Sequence, residues 1–173
     1  MIICAGNGEE FGFATSIGVG LVNSAIGLTK LLSTDSNLPK EIIFIGSFGL
    51  YKNGQIFDII HSENAVNLEI SAILDKSYSP IFSNVSRETN LINSSNFITT
   101  DSDIASKFAN LGFIGENMEL YSVLKVAKNF KIPAYGILCA TNFCDQNAHD
   151  DFIKNHAKAK EKLEIYLKSK GLI

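Results

Sequence analysis

Glycine clusters follow three short apolar runs of this sequence, at residues 5–8, 16–20 and 45–49. Glycine lets the backbone approach a ligand closely, and exposed N–H groups at the start of a following helix can hold an anion. None of the clusters has the G-x-G-x-x-G spacing of a dinucleotide-binding turn. A tight turn without a ligand is the alternative for each cluster alone. Because all three come at strand ends of a predicted α/β sheet, together they predict a ligand crevice.

Acidic side chains stand at two of the places where such a crevice would form. Glu9 and Glu10 directly follow the first glycine cluster, and Glu119 opens a predicted helix. A carboxylate can accept two hydroxyl hydrogen bonds, which suits a ligand with neighbouring hydroxyl groups. The structural alternatives are surface acidity for Glu9 and Glu10, and a favourable interaction with the helix dipole for Glu119.

The elements that must position these residues alternate between apolar runs and longer amphipathic stretches, which is typical of α/β layering. Continuous apolar runs indicate strands covered on both faces, and apolar residues at helical spacing indicate helices. Asp101 and Ser102 are predicted caps of the second helix. The predicted strands are residues 2–5, 13–17, 41–46, 55–60 and 134–140, with 66–73 as a weaker candidate, and the predicted helices are 21–32, 102–109, 118–130 and 149–168.

The 173 residues, 46% hydrophobic and 19% charged, predict a single globular domain spanning residues 1–173. The net charge of -3 argues against nucleic-acid binding, which needs a clustered basic surface. No apolar run approaches the ~20 residues of a membrane span, and the start does not resemble a signal peptide. We therefore expect no membrane partner, and a cytoplasmic protein with reduced cysteines. The spacing of Cys139, Cys144 and His149 does not suit zinc, so we expect no metal and no cofactor.

Six segments, read in order, resemble motifs of the nucleoside phosphorylase/nucleosidase superfamily. Residues 15–25 resemble T-G-I-G-x-V-N-A-A, 45–50 resemble T-G-S-A-G-G-L, 53–60 resemble V-G-D-I-V, 93–98 resemble S-G-D-x-F-I, 117–119 resemble (D/E)-M-E, and 140–145 resemble A-I-S-D-x-A-D. The resemblance implies a three-layer α/β/α fold around a mixed, partly barrel-like sheet. It also implies cleavage of a nucleoside N-glycosidic bond, and homo-oligomers, dimers or larger rings, in which a neighbour often completes each site.

The resemblance also implies roles at the sugar and the base. Glu119 would accept hydrogen bonds from the 2'- and 3'-hydroxyls of ribose, and Met118 would pack against the sugar. Asn117 replaces the acidic first residue of the signature. Phe97 would stack on the purine beside the backbone of Ile98, with a core aromatic as the alternative.

At the leaving base, Asn142 stands after Thr141, where many relatives carry Asp. An amide cannot act as a general acid. It can donate a hydrogen bond to N7 or a 6-oxo group while accepting one from N1–H. The sequence therefore predicts a preference for 6-oxopurines or weakened catalysis.

The group that accepts the sugar can be interpreted in two ways, as water or as phosphate. Nucleosidases of the superfamily activate water with a glutamate in an N-terminal turn, a role that Glu9 or Glu10 would take here. Phosphorylases hold phosphate with several arginines, whereas this chain has only Arg87. Phosphate would then rest on Arg87, Gly18 and Ser47, the last with the N–H groups from Gly46 onwards, although Ser47 has a simple turn serine as its alternative.

Three functions follow, and the preferred one is a purine nucleoside phosphorylase, which Asn142 and Ser47 favour. The alternative is a nucleosidase that uses water, which Glu9 and Glu10 favour. The third is a nucleoside- or base-binding protein that kept the fold without catalysis.

Overall fold

A computed structural model describes residues 1–80 and 90–173 of the chain. Its strands are β1 (Ile2–Cys4), β2 (Thr15–Ser16), β3 (Ile42–Leu50), β4 (Ile59–Ser62), β5 (Ala65–Val66), β6 (Leu91–Ser94), β7 (Phe113–Asn117) and β8 (Ala134–Phe143). Its helices are α1 (Gly20–Thr34), α2 (Ile70–Ile73), α3 (Ser102–Asn110), α4 (Leu120–Phe130) and α5 (Ala148–Ser169).

The strands form one mixed, curled sheet around β3. Parallel strands β1 and β8 flank β3, β2 pairs with β1, and β4 lies antiparallel on β8. A second parallel group, β5–β6–β7, joins β3 through a short antiparallel seam that pairs Gly49 with Glu116 and Leu50 with Gly115. The seam brings the ends of two strand groups together at one place.

Helices cover both faces of the sheet. The side chains of β3 alternate between these two faces. Phe44 and Phe48 belong to a core shared with α1 and α4. Ile43 and Ile45 belong to another core, which α5 closes with Leu163 and other side chains. The predicted three-layer arrangement with a mixed, partly barrel-like sheet is therefore confirmed.

Most predicted elements are present, and Asp101 caps α3 by accepting hydrogen bonds from Asp103 N and Ile104 N. Several boundaries were wrong. Of residues 13–17 only Thr15–Ser16 pair, and residues 55–58 precede β4 rather than belonging to it. Residues 66–73 are not one strand, since β5 ends at Val66 and α2 follows.

The predicted glycine turn at residues 45–49 is instead part of a strand, because β3 continues to Leu50. Phe48 and Leu50 are buried on this extension, which pairs with β8 around a bulge between Phe48 and Gly49. A side chain at residue 49 would lie 2.8 Å from Cys144 Sγ and 2.9 Å from Asn142 Nδ2. The glycine is therefore needed for close strand approach rather than for a turn.

Within residues 1–80 and 90–173, no helix is both long and apolar enough to span a membrane. Cys4, Cys139 and Cys144 are buried and free. The cytoplasmic location stays a prediction.

Candidate functional site

A cavity of about 280 Å³ lies where the carboxyl ends of β1, β3, β7 and β8 meet, beside the start of α5. Strand ends of this kind are where α/β sheets place their ligands. Its lining residues are Ala5, Gly6, Asn7, Glu9, Val19, Ser47, Phe48, Gly49, Ile98, Thr100, Glu116, Asn117, Met118, Glu119, Thr141, Asn142, Ala148, His149 and Phe152. The structure thus brings together residues from five of the six motif segments, and only the segment 53–60 does not line the cavity.

Asn117 organises the segment that was predicted to bind the sugar. Its Oδ1 accepts hydrogen bonds from Glu119 N at 2.7 Å and Leu120 N at 2.8 Å, which caps α4. Its Nδ2 donates to Glu119 Oε2 at 3.0 Å and to Ser47 O at 3.1 Å. An amide can accept and donate in this way, whereas an ionised carboxylate only accepts. An amide at residue 117 can therefore make all of these hydrogen bonds, whereas an ionised carboxylate could not donate any of them.

Glu119 is 3% exposed, and its carboxylate faces the cavity. Burial raises its pKa to about 7, and the neighbouring carboxylate of Glu9 adds to that rise. Hydrogen bonds from Gly20 N, at 2.9 Å, and from Asn117 oppose it. A carboxyl group with this pKa changes charge near neutral pH.

Glu9 follows a turn in which three consecutive residues, Gly6, Asn7 and Gly8, have positive φ. The turn carries the carboxylate back to β3, where Ser47 N donates to Glu9 Oε1 at 3.2 Å. Burial raises the pKa of Glu9, while hydrogen bonds from Ser47 and the positive charges of His156 and Lys160 oppose that rise. Glu9 and Glu119 thus form an electrostatically coupled acidic pair in one cavity.

Glu10 has different surroundings from those of Glu9. It is exposed and does not line the cavity, and its Oε2 accepts a hydrogen bond from Gly8 N at 2.8 Å. Hydrogen bonds from backbone N–H groups lower its pKa. Of the two predicted acids, only Glu9 reaches the cavity.

Glu116, which is 2% exposed, is a third carboxylate on the cavity wall. Its Oε2 accepts hydrogen bonds from Tyr51 Oη and Thr99 Oγ1, both at 2.8 Å, and its Oε1 accepts one from Thr99 N. Ile98 and Thr100, on either side of Thr99, line the cavity. Glu116 therefore fixes one wall of the cavity through the backbone of Thr99.

At the end predicted to hold the base, Asn142 and Thr141 are both buried. Thr141 Oγ1 donates to Asn142 Oδ1 at 2.9 Å, and Asn142 Nδ2 donates to Phe143 O at 3.0 Å. Of the two N–H groups that an amide nitrogen carries, one is therefore taken up by Phe143 O.

Some predicted residues lie away from the cavity lining. The side chain of Phe97 is 80% exposed, so its stacking on a base stays a prediction. Gly18 and Gly46 adjoin the cavity residues without lining the cavity themselves. Arg87 lies outside the described residues.

Sequence reasoning gave Glu116 no role of its own beside the sugar-binding signature, and it missed His149 and Phe152 as cavity residues. The helix that carries the last two begins soon after the strand that ends with Asn142, so its first turns had to lie near that strand end. His156, further along the same helix, acts on Glu9 through its charge. The burial of Glu116 is explained only by the hydrogen-bond donors that surround it. These donors come from distant parts of the chain.

The fold and the carboxylate-lined cavity allow a comparison with known proteins. No family model matches the chain, and no curated protein matches it. Among solved structures, an aspartate-to-asparagine mutant of the Helicobacter pylori 5'-methylthioadenosine/S-adenosylhomocysteine nucleosidase, with 5'-methylthioadenosine in its active site, superposes with a TM-score of 0.80 at 17% identity. The alignment covers 97% of this chain and 95% of that one.

Two further structures show the same likeness. A mutant of Helicobacter pylori futalosine hydrolase has a TM-score of 0.80 at 16% identity, with 97% of this chain and 96% of that chain covered. A putative 5'-methylthioadenosine/S-adenosylhomocysteine nucleosidase from Francisella philomiragia has a TM-score of 0.78 at 16% identity, with 99% and 98% covered. The chain therefore has the fold of the nucleoside phosphorylase/nucleosidase superfamily.

Proposed function

We propose that this protein hydrolyses the N-glycosidic bond of nucleosides, with water as the acceptor. The observation that carries the proposal is the pair of carboxylates, Glu9 and Glu119, that face one cavity of about 280 Å³. Cleavage of this bond passes through a ribosyl cation, which fixed negative charge stabilises.

The cavity favours water over phosphate. Among its described lining residues are three glutamates, one histidine and no lysine or arginine. Phosphate would meet negative charge without the bidentate donors that usually hold it. In addition, Ser47 N, predicted to face phosphate, donates to Glu9. The charges of the residues that line the cavity thus support hydrolysis by a nucleosidase better than the phosphorylase activity preferred from the sequence.

In the proposed reaction, Glu119 holds the ribose hydroxyls beside Met118, and the bond between C1' and the base nitrogen breaks. The oxygen of a water molecule bonds to C1', and Glu9 takes the proton that this water loses. The base leaves with the electron pair, stabilised by a hydrogen bond from Asn142, and takes its proton from solvent.

A second candidate, nucleoside binding without turnover, rests on the same base end. Asn142 cannot protonate a leaving purine, and one of its N–H groups already donates to Phe143 O. The fold accommodates a bound nucleoside, since the mutant Helicobacter pylori nucleosidase has 5'-methylthioadenosine in its active site.

Product analysis tests these alternatives. The purified protein would be incubated with adenosine, 5'-methylthioadenosine, inosine and guanosine, with and without phosphate. We expect free sugar and free base at a rate independent of phosphate, and a loss of about 10²–10⁴-fold in Glu9→Gln. Ribose 1-phosphate as the product would instead establish a phosphorylase. Calorimetric binding without turnover would establish a binding protein.

The base preference needs its own comparison. Asn142 predicts inosine and guanosine as the better substrates, whereas the ligand of the mutant Helicobacter pylori nucleosidase is an adenine nucleoside. The ratio of inosine to adenosine turnover would be measured in the wild type and in Asn142→Asp. We expect the ratio to fall in the variant, and an unchanged ratio would remove Asn142 from base selection.

We also propose that the protein forms a homo-oligomer. Val22 and Ile26 on α1 are 61% and 62% exposed, and Phe97 is exposed nearby, since Asn96 Oδ1 accepts a hydrogen bond from Leu21 N. Sedimentation velocity should show a dimer or larger assembly that dissociates when Val22 and Ile26 are both changed to lysine. A monomeric wild type would contradict the proposal.

A further inference from the structure

The turn that carries Glu9 has an unusual backbone, because three consecutive residues have positive φ. Its internal hydrogen bonds run from Glu9 N to Gly6 O and from backbone N–H groups, Gly8 N among them, to the carboxylate of Glu10. Asn7 and Gly8 are exposed. The carboxylate of Glu9 lies beside Ser47, so its place depends on how the turn sits against the rest of the fold.

One side chain of α5 contacts the turn on both sides of Glu9. Lys160 Nζ donates a hydrogen bond to Gly8 O at 3.2 Å, and it lies 5.3 Å from the centroid of the Phe11 ring. Phe11 is buried in the core that α5 closes. The ammonium group therefore ties the residues before and after Glu9 to the same helix.

We propose that Lys160 is a positioning residue for Glu9, which holds the turn of residues 6–10 against α5 and supplies positive charge behind the carboxylate. The proposal rests on the proposed function of Glu9, but the contacts themselves do not depend on it. Lysines of α5 would otherwise be interpreted as a solvated helix face, which the contacts of Lys160 contradict.

The charges around Glu9 give the proposal a direction. Lys160 and His156 face it from α5, Ser47 donates to it from β3, and the carboxylate of Glu119 lies across the cavity. Glu10 is the neighbouring charge within the turn. Because the ammonium group favours the ionised form of Glu9, its removal raises the pKa of Glu9. Water activation then requires a higher pH.

The test compares the wild type with Lys160→Met, Lys160→Arg and a matched control, Lys158→Met. Lys158 Nζ also lies over an aromatic ring, 4.7 Å from the centroid of Phe57, but it makes no hydrogen bond or ion pair with residues 6–10, all of which the structure describes. The carboxyl carbon of Glu9 would be titrated by NMR, with Glu9→Gln identifying its signal. Amide exchange of residues 6–10 and the pH profile of kcat would be measured on the same variants.

In Lys160→Met we expect the titration midpoint of Glu9 to rise by roughly 0.5 unit, and the turn amides to exchange about tenfold faster. The acidic limb of kcat should move to higher pH while KM stays unchanged. Lys160→Arg should restore these properties, and Lys158→Met should leave them unaltered.

Unchanged titration and unchanged exchange in Lys160→Met would overturn the proposal, even if Glu9→Gln abolishes hydrolysis. If the wild type cleaves no nucleoside, the proposed function fails instead. The titration and exchange measurements still decide the role of Lys160 in that case.

Discussion

Glu116 and Glu119 are three residues apart and equally buried on one cavity wall, yet their carboxylates have different surroundings. Glu116 accepts three hydrogen bonds, from Tyr51 and from two groups of Thr99. Glu119 accepts two, from Gly20 and Asn117, and faces a second carboxylate, that of Glu9.

The comparison shows how neighbours rather than burial divide the roles of similar residues. A buried carboxylate surrounded by donors is held in place and stabilises the segment that donates to it. A buried carboxylate with fewer donors and a like charge nearby has an elevated pKa, which is typical of functional sites. We therefore expect Glu116 to shape the wall and Glu119 to be available to a ligand.

The largest expected difference is in activity. Glu119→Gln should lower kcat/KM for nucleoside hydrolysis by at least about 100-fold, because the amide has one acceptor oxygen and no charge to stabilise the ribosyl cation. Glu116→Gln should lower it by less than about 10-fold. Release of free base from the preferred nucleoside measures both variants. Equal losses of kcat/KM in the two variants would contradict the different roles expected for Glu116 and Glu119.

The stability of the folded protein should depend strongly on Glu116. Glu116→Leu leaves the Tyr51 hydroxyl and two groups of Thr99 buried without their acceptor, which should lower the free energy of unfolding by about 3 kcal/mol. Tyr51→Phe, which removes one donor, should cost about 1 kcal/mol. Urea unfolding measures both. If Glu116→Leu lowers the free energy of unfolding by less than Tyr51→Phe does, Glu116 does not hold the cavity wall in place.

The pH dependence of stability reports on Glu119 and its neighbour Glu9. The folded-state pKa of Glu119, about 7, lies above its ordinary value of 4.5, so the folded protein binds the proton more tightly than the unfolded chain. This stabilisation is full below about pH 4.5 and is lost as the pH rises through 7. Between pH 5 and 8, the wild type should lose about 1–3 kcal/mol relative to Glu119→Gln.

Urea titrations of both proteins at several pH values measure this difference. Because Glu9 and Glu119 are neighbouring carboxylates, removing one charge also changes the titration of the other, and the difference between the curves reports on the pair. Parallel curves would contradict the elevated pKa of Glu119.

The smallest effect concerns the segment that Glu116 holds. Phe97 lies two residues before Thr99, and its side chain is 80% exposed. Phe97→Ala should therefore change the free energy of unfolding by less than about 0.5 kcal/mol. A rise in KM at unchanged stability would support the predicted stacking on the base.

Local signals explain what the sequence predicts well. Asp101 identifies the start of α3, and helical spacing of apolar residues identifies α5. The motif residues Glu119 and Asn142 reach the same cavity because both stand at strand ends.

Other features depend on pairing between distant segments. The run that forms β7 contains Gly115 and Glu116, neither of which favours strands, and it becomes a strand through β3 and β6. The extension of β3 through Gly46 and Gly49 depends in the same way on β8. The contact between Lys160 and the turn of Glu9 joins residues about 150 positions apart, and no local pattern indicates it.

The antiparallel seam between β3 and β7 also has a consequence for the mutational tolerance of the chain. A methyl group on residue 115 would lie 2.1 Å from Gly49 O, so alanine there would force the strands apart. Glu116 and Asn142 both adjoin Gly49 across strand pairs. A deep mutational scan should therefore find Gly49 and Gly115 as intolerant as the carboxylates, although neither contributes a reactive group.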